Sequence, residues 1–142
     1  MEKETKMRAW IYGANMATPP VAHALSLNLL DRFASSANFW GALFYGATDL
    51  AGRLSPKIKK STFVRVAKLV GAAYYAGSVL HDISRIYHGD MAHIYNLAFD
   101  GSMASLLVKD VAANYNGQND LLNDLKGPFN RIKGLASRLQ TY

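Results

Sequence analysis

Three histidines and two aspartates fall between positions 81 and 93: His81, Asp82, His88, Asp90 and His93. Imidazole nitrogens and carboxylate oxygens in such a group could hold a divalent metal or relay protons. The spacing matches no known ligand motif, because helical metal ligands usually stand at i and i+4, whereas His81 and His88 are seven apart and Gly89 separates them from His93. The expected arrangement is a polar helix end in which Asp82, Arg85 and His88 pair across successive turns, with no metal and no cofactor.

Asp49 and Asp100 stand in the most apolar surroundings of any acids in the chain. A carboxylate so placed either carries a shifted pKa at a functional site or pairs with a buried cation. Pairing is the expectation here. No Gly-rich phosphate loop, nucleophile elbow or carboxylate pair accompanies them, and the absence of cysteine removes disulfides, thiol chemistry and Cys-based zinc sites. The chain is therefore expected not to be an enzyme.

Charge is the stronger signal. The 142 residues carry a formal net charge of +6, which favours an anionic partner. Arg53, Lys57, Lys59, Lys60, Arg65 and Lys68 crowd into one stretch without an acid, and a second basic run begins at Lys126. The first group is the candidate contact for an anionic membrane surface or an acidic protein. Nucleic acid is a weaker candidate, because no helix-turn-helix, zinc finger or aromatic-bearing sheet accompanies the patch.

The elements that must position these residues read as helices, since β-branched residues rarely alternate with polar ones. The expected fold is all-α, a bundle of four to five helices in a single domain over 1–142. It divides into an N-terminal arm (1–19), a helical core (20–116) and an amphipathic C-terminal segment (117–142). A short helix is expected near 7–17, and a second over 20–35 with Thr18 as cap and Pro19 or Pro20 in its first turn. Ser35, Ser36 and Asn38 then cap a third over 37–54, which Ser55-Pro56 stops. Further helices are expected over 61–87 and 91–115, the former ended by His88-Gly89-Asp90 and the latter by the 114–119 cluster around Gly117.

Two segments rich in apolar and small residues, 39–50 and 69–80, flank the basic stretch and would form a helical hairpin around which the bundle is organised. Gly41, Gly46, Gly71, Ala73 and Gly77 supply a close-packing face, and Ala73-x-x-x-Gly77 has the small-xxx-small spacing of membrane helix pairs. Gly41-Ala42-Leu43-Phe44-Tyr45 also resembles Gly71-Ala72-Ala73-Tyr74-Tyr75 thirty positions later. Against a simple span, the uncharged arm 69–80 is only about 18 Å long at 1.5 Å per residue, and the hydrocarbon layer is ~30 Å thick.

The C-terminal segment has the cleanest period, with Leu122, Leu125, Phe129, Ile132, Ala136 and Leu139 alternating at three and four. Gly127-Pro128 is expected to break it into two helices. Phe129, Ile132, Leu135 and Leu139 with Arg131, Lys133 and Arg138 make a basic amphipathic contact surface. Its apolar side is expected to pack on the bundle and leave the cations exposed.

Together these features lead to the expectation of a non-enzymatic, membrane-associated structural or accessory protein that works by helix packing in a homo-oligomer or larger complex. The basic loop would lie on the cytoplasmic or matrix side, with no cleavable signal peptide. The alternative is a soluble helical module whose basic loop binds an acidic protein or nucleic acid.

Overall fold

The structure, a computed structural model, describes residues 2–17, 29–117 and 120–139, with 29–35, 128, 135, 136, 138 and 139 described by backbone alone. The described residues are all-helical, in six helices and no strand. They are α1 (Glu2–Met16), α2 (Leu29–Leu54), the single-turn α3 (Pro56–Lys59), α4 (Thr62–Tyr87), α5 (His93–Tyr115) and α6 (Leu121–Leu139). Most of the helix expected over 20–35 falls outside the described residues.

Local chemistry explains most boundaries. Glu2 and Glu4 favour the start of α1, where acids complement the helix dipole, and each reaches a cation four residues on: Lys6 at 2.6 Å and Arg8 at 3.2 Å. Ser61 caps α4 by accepting from the Val64 amide at 3.3 Å. At the other end of α4, the Gly89 amide donates to Ile86 and the Asp90 amide to Arg85, with Gly89 at φ +91°. This pattern is a Schellman motif, whose left-handed residue favours glycine. Four residues beyond Gly89, α5 begins.

Two expected breaks are absent. Ser35, Ser36 and Asn38 lie inside a continuous α2, and Asn38 is buried rather than capping. A cap residue is needed only where four amides lose their carbonyl partners, and here the ladder runs on. Gly127-Pro128 also lies within a continuous α6. Neither the three small polar residues nor the Gly-Pro pair is a sufficient stop signal when the helix is sustained on both sides.

The most extensive packing is between α4 and α5, with α1 lying across α2 and α5, and α6 touching α4. Between α2 and α4 the contacts are sparser and specific. A Cβ built on Gly41 would collide with the Tyr75 hydroxyl, and one on Gly71 with the Tyr45 hydroxyl and ring. Gly41 therefore faces Tyr75 and Gly71 faces Tyr45, a falling register that makes the helices antiparallel. The two similar pentapeptides thus meet through reciprocal tyrosine-on-glycine contacts. Tyr45, which donates to the Ala67 carbonyl at 2.9 Å, is fixed by both interactions.

Candidate functional site: a charged interior

Among the described residues the core is small: Tyr12, Ala42, Tyr45, Ala72, Tyr75, Met103, Leu106 and Leu107. Beside it lie, among the described residues, eight buried polar or charged ones, Asn15, Asn38, Lys68, Asp82, His93, Asn96, Asp100 and Asp124. The exterior is the converse, with Trp10, Trp40, Leu50, Leu54, Phe63, Val70, Leu80 and Tyr87 all more than 60% exposed. A buried polar group and an exposed apolar surface are the informative departures from ordinary folding, and both occur here together.

Four helices meet in one ionic cluster. Arg8 of α1 donates from Nη1 to Asp49 Oδ2 of α2 at 2.9 Å and grips Asp110 of α5 with both terminal nitrogens, at 2.6 and 3.1 Å. Lys68 of α4 donates to Asp49 Oδ1 at 2.7 Å and to Asp110 Oδ2 at 2.5 Å. Two cations and two anions cancel, so the cluster itself is formally neutral. Tyr12 completes the set, its hydroxyl donating to Asp49 Oδ2 at 2.6 Å while its ring stands where a Cβ built on Gly46 would meet it at ordinary van der Waals distance. The Tyr12 hydroxyl thus acts here as a donor to a carboxylate that Arg8 and Lys68 also hold.

Polar groups continue along the interior. Asn38 of α2 donates to Asp100 of α5, and Asn15 of α1 donates to the Ile11 carbonyl at 2.9 Å. At the α4–α5 turn, His93 Nδ1 lies 2.7 Å from Asp82 Oδ1, and His81 Nδ1 lies 3.7 Å from the same oxygen. His88 instead bonds the Ser84 carbonyl at 2.7 Å on the exposed side, and Arg85 pairs with Asp90 at 2.7 Å. The expected pairing of Asp82 with Arg85 and His88 is thus replaced by one with His93, because the left-handed Gly89 folds α5 back along α4.

The residues of the basic stretch divide. Lys57, Lys59 and Lys60 are exposed and have no acidic partner among the described residues, and Arg53 donates to Thr5 at 2.9 Å on the surface. Lys68 belongs to the interior cluster, not to the loop surface, because its side chain points to the two aspartates. Arg65 is also engaged internally: Nε and Nη2 bind Asp124 of α6 at 2.7 and 2.6 Å, a bidentate clasp that Tyr115 joins at 2.9 Å. The Arg65 guanidinium holds the Asp124 carboxyl below its ordinary range.

That clasp fastens α6 near the start of α4, beside the basic loop. Leu122, Leu125, Phe129 and Ile132 are exposed, contrary to the expectation that this side packs on the bundle, because among the described residues of α6 only Asp124 is buried. Arg131 and Lys133 are exposed beside them, whereas the side chains of Leu135, Arg138 and Leu139 fall outside the described residues. Of the packing-face residues, Gly41, Gly46 and Gly71 meet tyrosines. Ala73 and Gly77 face outward, with nothing within 4 Å of a Cβ built on Gly77.

Asp49 reads in the sequence as the partner of a buried cation, but Arg8, Tyr12 and Asp110 do not stand out there. A usable signal was present on α5, where His93, Asn96, Asp100, Met103, Leu107 and Asp110 recur at three and four and so line one face. Two shallow hollows, over Lys6, Ala9 and Trp10 and over Leu122, Leu125, Lys126, Phe129 and Asn130, bring no catalytic pair together. No protein-family model, curated protein or solved structure matches the chain.

Proposed function

We propose that this chain is a membrane-embedded, non-enzymatic structural or accessory protein that acts by helix packing within an oligomer or larger assembly. The observation that carries this reading is the inverted distribution of polarity, with paired charges inside and large apolar side chains outside. Ionisable residues within a membrane bundle face its interior and pair with one another, as Arg8, Asp49, Lys68 and Asp110 do here. In water such a buried network is weak evidence for stability, and the apolar exterior would be an aggregation liability.

The inward direction of the charges also removes the objection of length. Lys68 and Asp82 are buried, so the outward surface of α4 is apolar from Phe63 through Val70, Ala73, Tyr74, Gly77 and Leu80 to Ile83, with His81 near its far end. That distance is about 30 Å at 1.5 Å per residue, the thickness of the hydrocarbon layer. α4 is also long and apolar enough as a whole to cross a membrane. On α2 the exposed Trp40, Leu43, Phe44, Leu50 and Leu54 extend the same surface.

In this reading Lys57, Lys59 and Lys60 meet anionic headgroups on the cytoplasmic or matrix side. The exposed apolar face of α6, held at the same end by Arg65 and Asp124, lies in the interface plane with Arg131 and Lys133 toward the headgroups. Ala73 and Gly77 offer their outward strip to a second copy or partner helix.

Carbonate extraction of membranes from cells expressing the full chain tests the proposal. Retention in the pellet is expected, and complete release into the supernatant would overturn it in favour of a soluble module. For the loop, the test is binding to anionic vesicles by a Lys57→Gln, Lys59→Gln, Lys60→Gln triple variant. Weaker binding is expected, and unchanged binding would remove the loop as the contact.

A further inference from the structure

The ionic cluster uses all four of its charges, but the polar group at the opposite end of α4 does not close in the same way. Asp82 is 3% exposed; its Oδ1 lies 2.7 Å from His93 Nδ1 and 3.7 Å from His81 Nδ1, only the first a hydrogen bond, whereas Oδ2 is buried with no hydrogen-bond partner among the described residues. Native interiors rarely leave a carboxylate oxygen in that state. Donor atoms of His81, Asp82 and His93 lie within 4.8 Å of one another.

We propose that His81, Asp82 and His93 bind one divalent transition-metal ion of the zinc type at the α4–α5 turn. Two imidazole nitrogens and a carboxylate oxygen form a donor set suited to zinc. Ligand bonds of about 2.0–2.2 Å in tetrahedral geometry place donors about 3.3–3.5 Å apart. The observed separations of 2.7 Å between His93 Nδ1 and Asp82 Oδ1, and 3.7 Å for His81, bracket that value. Small side-chain rotations suffice, and His81, with a side chain 61% exposed, is free to make them.

The surroundings fit a metal ligand set as well. His93 Nε2 lies 3.6 Å from Asp90 Oδ2, and Arg85 holds Asp90 in turn at 2.7 Å. With the ring hydrogen on Nε2, directed at Asp90, the Nδ1 lone pair is left for the ion. No net proton is released from His93 by this change of tautomer. At 3.6 Å the contact with Asp90 is longer than a hydrogen bond, but a small movement of the Asp90 side chain closes it, and an outer carboxylate so placed orients a ligating imidazole. Three protein ligands leave the fourth position to water on the exposed side of His81. The ion would join α4 to α5 across the turn, and the site stands whether or not the bundle lies in a membrane.

The test uses the purified full chain in mild detergent, with Co2+ as a spectroscopic probe and Zn2+ as competitor. One Co2+ per chain is expected, with the visible absorption of a four-coordinate site, displaced by Zn2+. His81→Ala, at an exposed position, should keep the helical circular dichroism and weaken Zn2+ binding by about 10-fold or more. His88→Ala should bind as the parent does, because His88 lies outside the group. The proposal is overturned if the parent chain takes up neither ion, if His81→Ala binds as tightly as the parent, or if His88→Ala weakens binding equally.

Discussion

Replacing Lys68 with Met is the sharpest perturbation of the charged interior. Methionine approximates the length of the lysine stem, so the change removes a charge and little volume. Lys68 is 6% exposed and holds Asp49 and Asp110 at 2.7 and 2.5 Å. Without it, two carboxylates share Arg8, and one negative charge is left uncompensated in the bundle. Breaking a buried ion pair from one side costs about 3–5 kcal/mol. Lys57→Met, at an exposed site, should stay within about 0.5 kcal/mol.

Neutralising the other side should restore part of the loss. In the Lys68→Met, Asp49→Asn double variant, Arg8 keeps its two-nitrogen grip on Asp110, and the amide oxygen at position 49 still accepts from Tyr12. The double variant should therefore cost less than the sum of the singles, with a coupling energy of about 1–3 kcal/mol. Denaturant titration in mild detergent, followed by helical circular dichroism, measures all of these values. A loss below about 1 kcal/mol for Lys68→Met, or strict additivity in the double variant, would refute a tightly coupled interior cluster.

The remaining expectations concern the helix contacts and the α6 clasp. Gly71→Ala should destabilise by about 1–3 kcal/mol in the same titration, because its Cβ displaces the Tyr45 ring and the bond to Ala67, whereas Gly77→Ala should be neutral or stabilising by up to ~1 kcal/mol in the monomeric chain, where nothing faces it. Gly89→Ala should cost about 1–2 kcal/mol, since it forces a side chain into φ +91°. The α6 clasp should loosen in acid: Asp124 has a depressed pKa when docked, so its contribution is complete above its ordinary value of 3.8 and is lost as pH falls through the lower docked value. A spin label at position 126 should gain mobility over that range. The acid step should be missing from Asp124→Asn, and an identical profile in both chains would exclude the carboxylate as its source.

The all-α class and the ends of α4 and α5 are legible in the residues, because Ser61, Gly89 and Gly117 act through nearest neighbours. The breaks expected at Asn38 and Gly127-Pro128 failed because a turn-forming residue states only a local preference, and continuous helix on either side overrides it. The cluster was hidden for a different reason. Arg8 and Asp110 stand 102 positions apart, and no local pattern joins them. Lys68 reads as part of the loop because its neighbours in sequence are basic, but its direction is fixed by the helix face it shares with Tyr75 and Asp82. Asp49 carried its information as an anomaly, an acid in an apolar segment that required a partner.

The tyrosine-on-glycine contacts between α2 and α4 restrict how this protein can move. Sliding one helix by a turn in one sense brings Tyr45 against Tyr75, ring on ring. In the other sense the rings meet Ala37 and Ala67, where a Cβ occupies the space that glycine leaves open. Neither offset accommodates both hydroxyls. Piston-like displacement is therefore opposed at this pair, which leaves tilting or separation of the two helices as the motions that keep both rings clear of a Cβ.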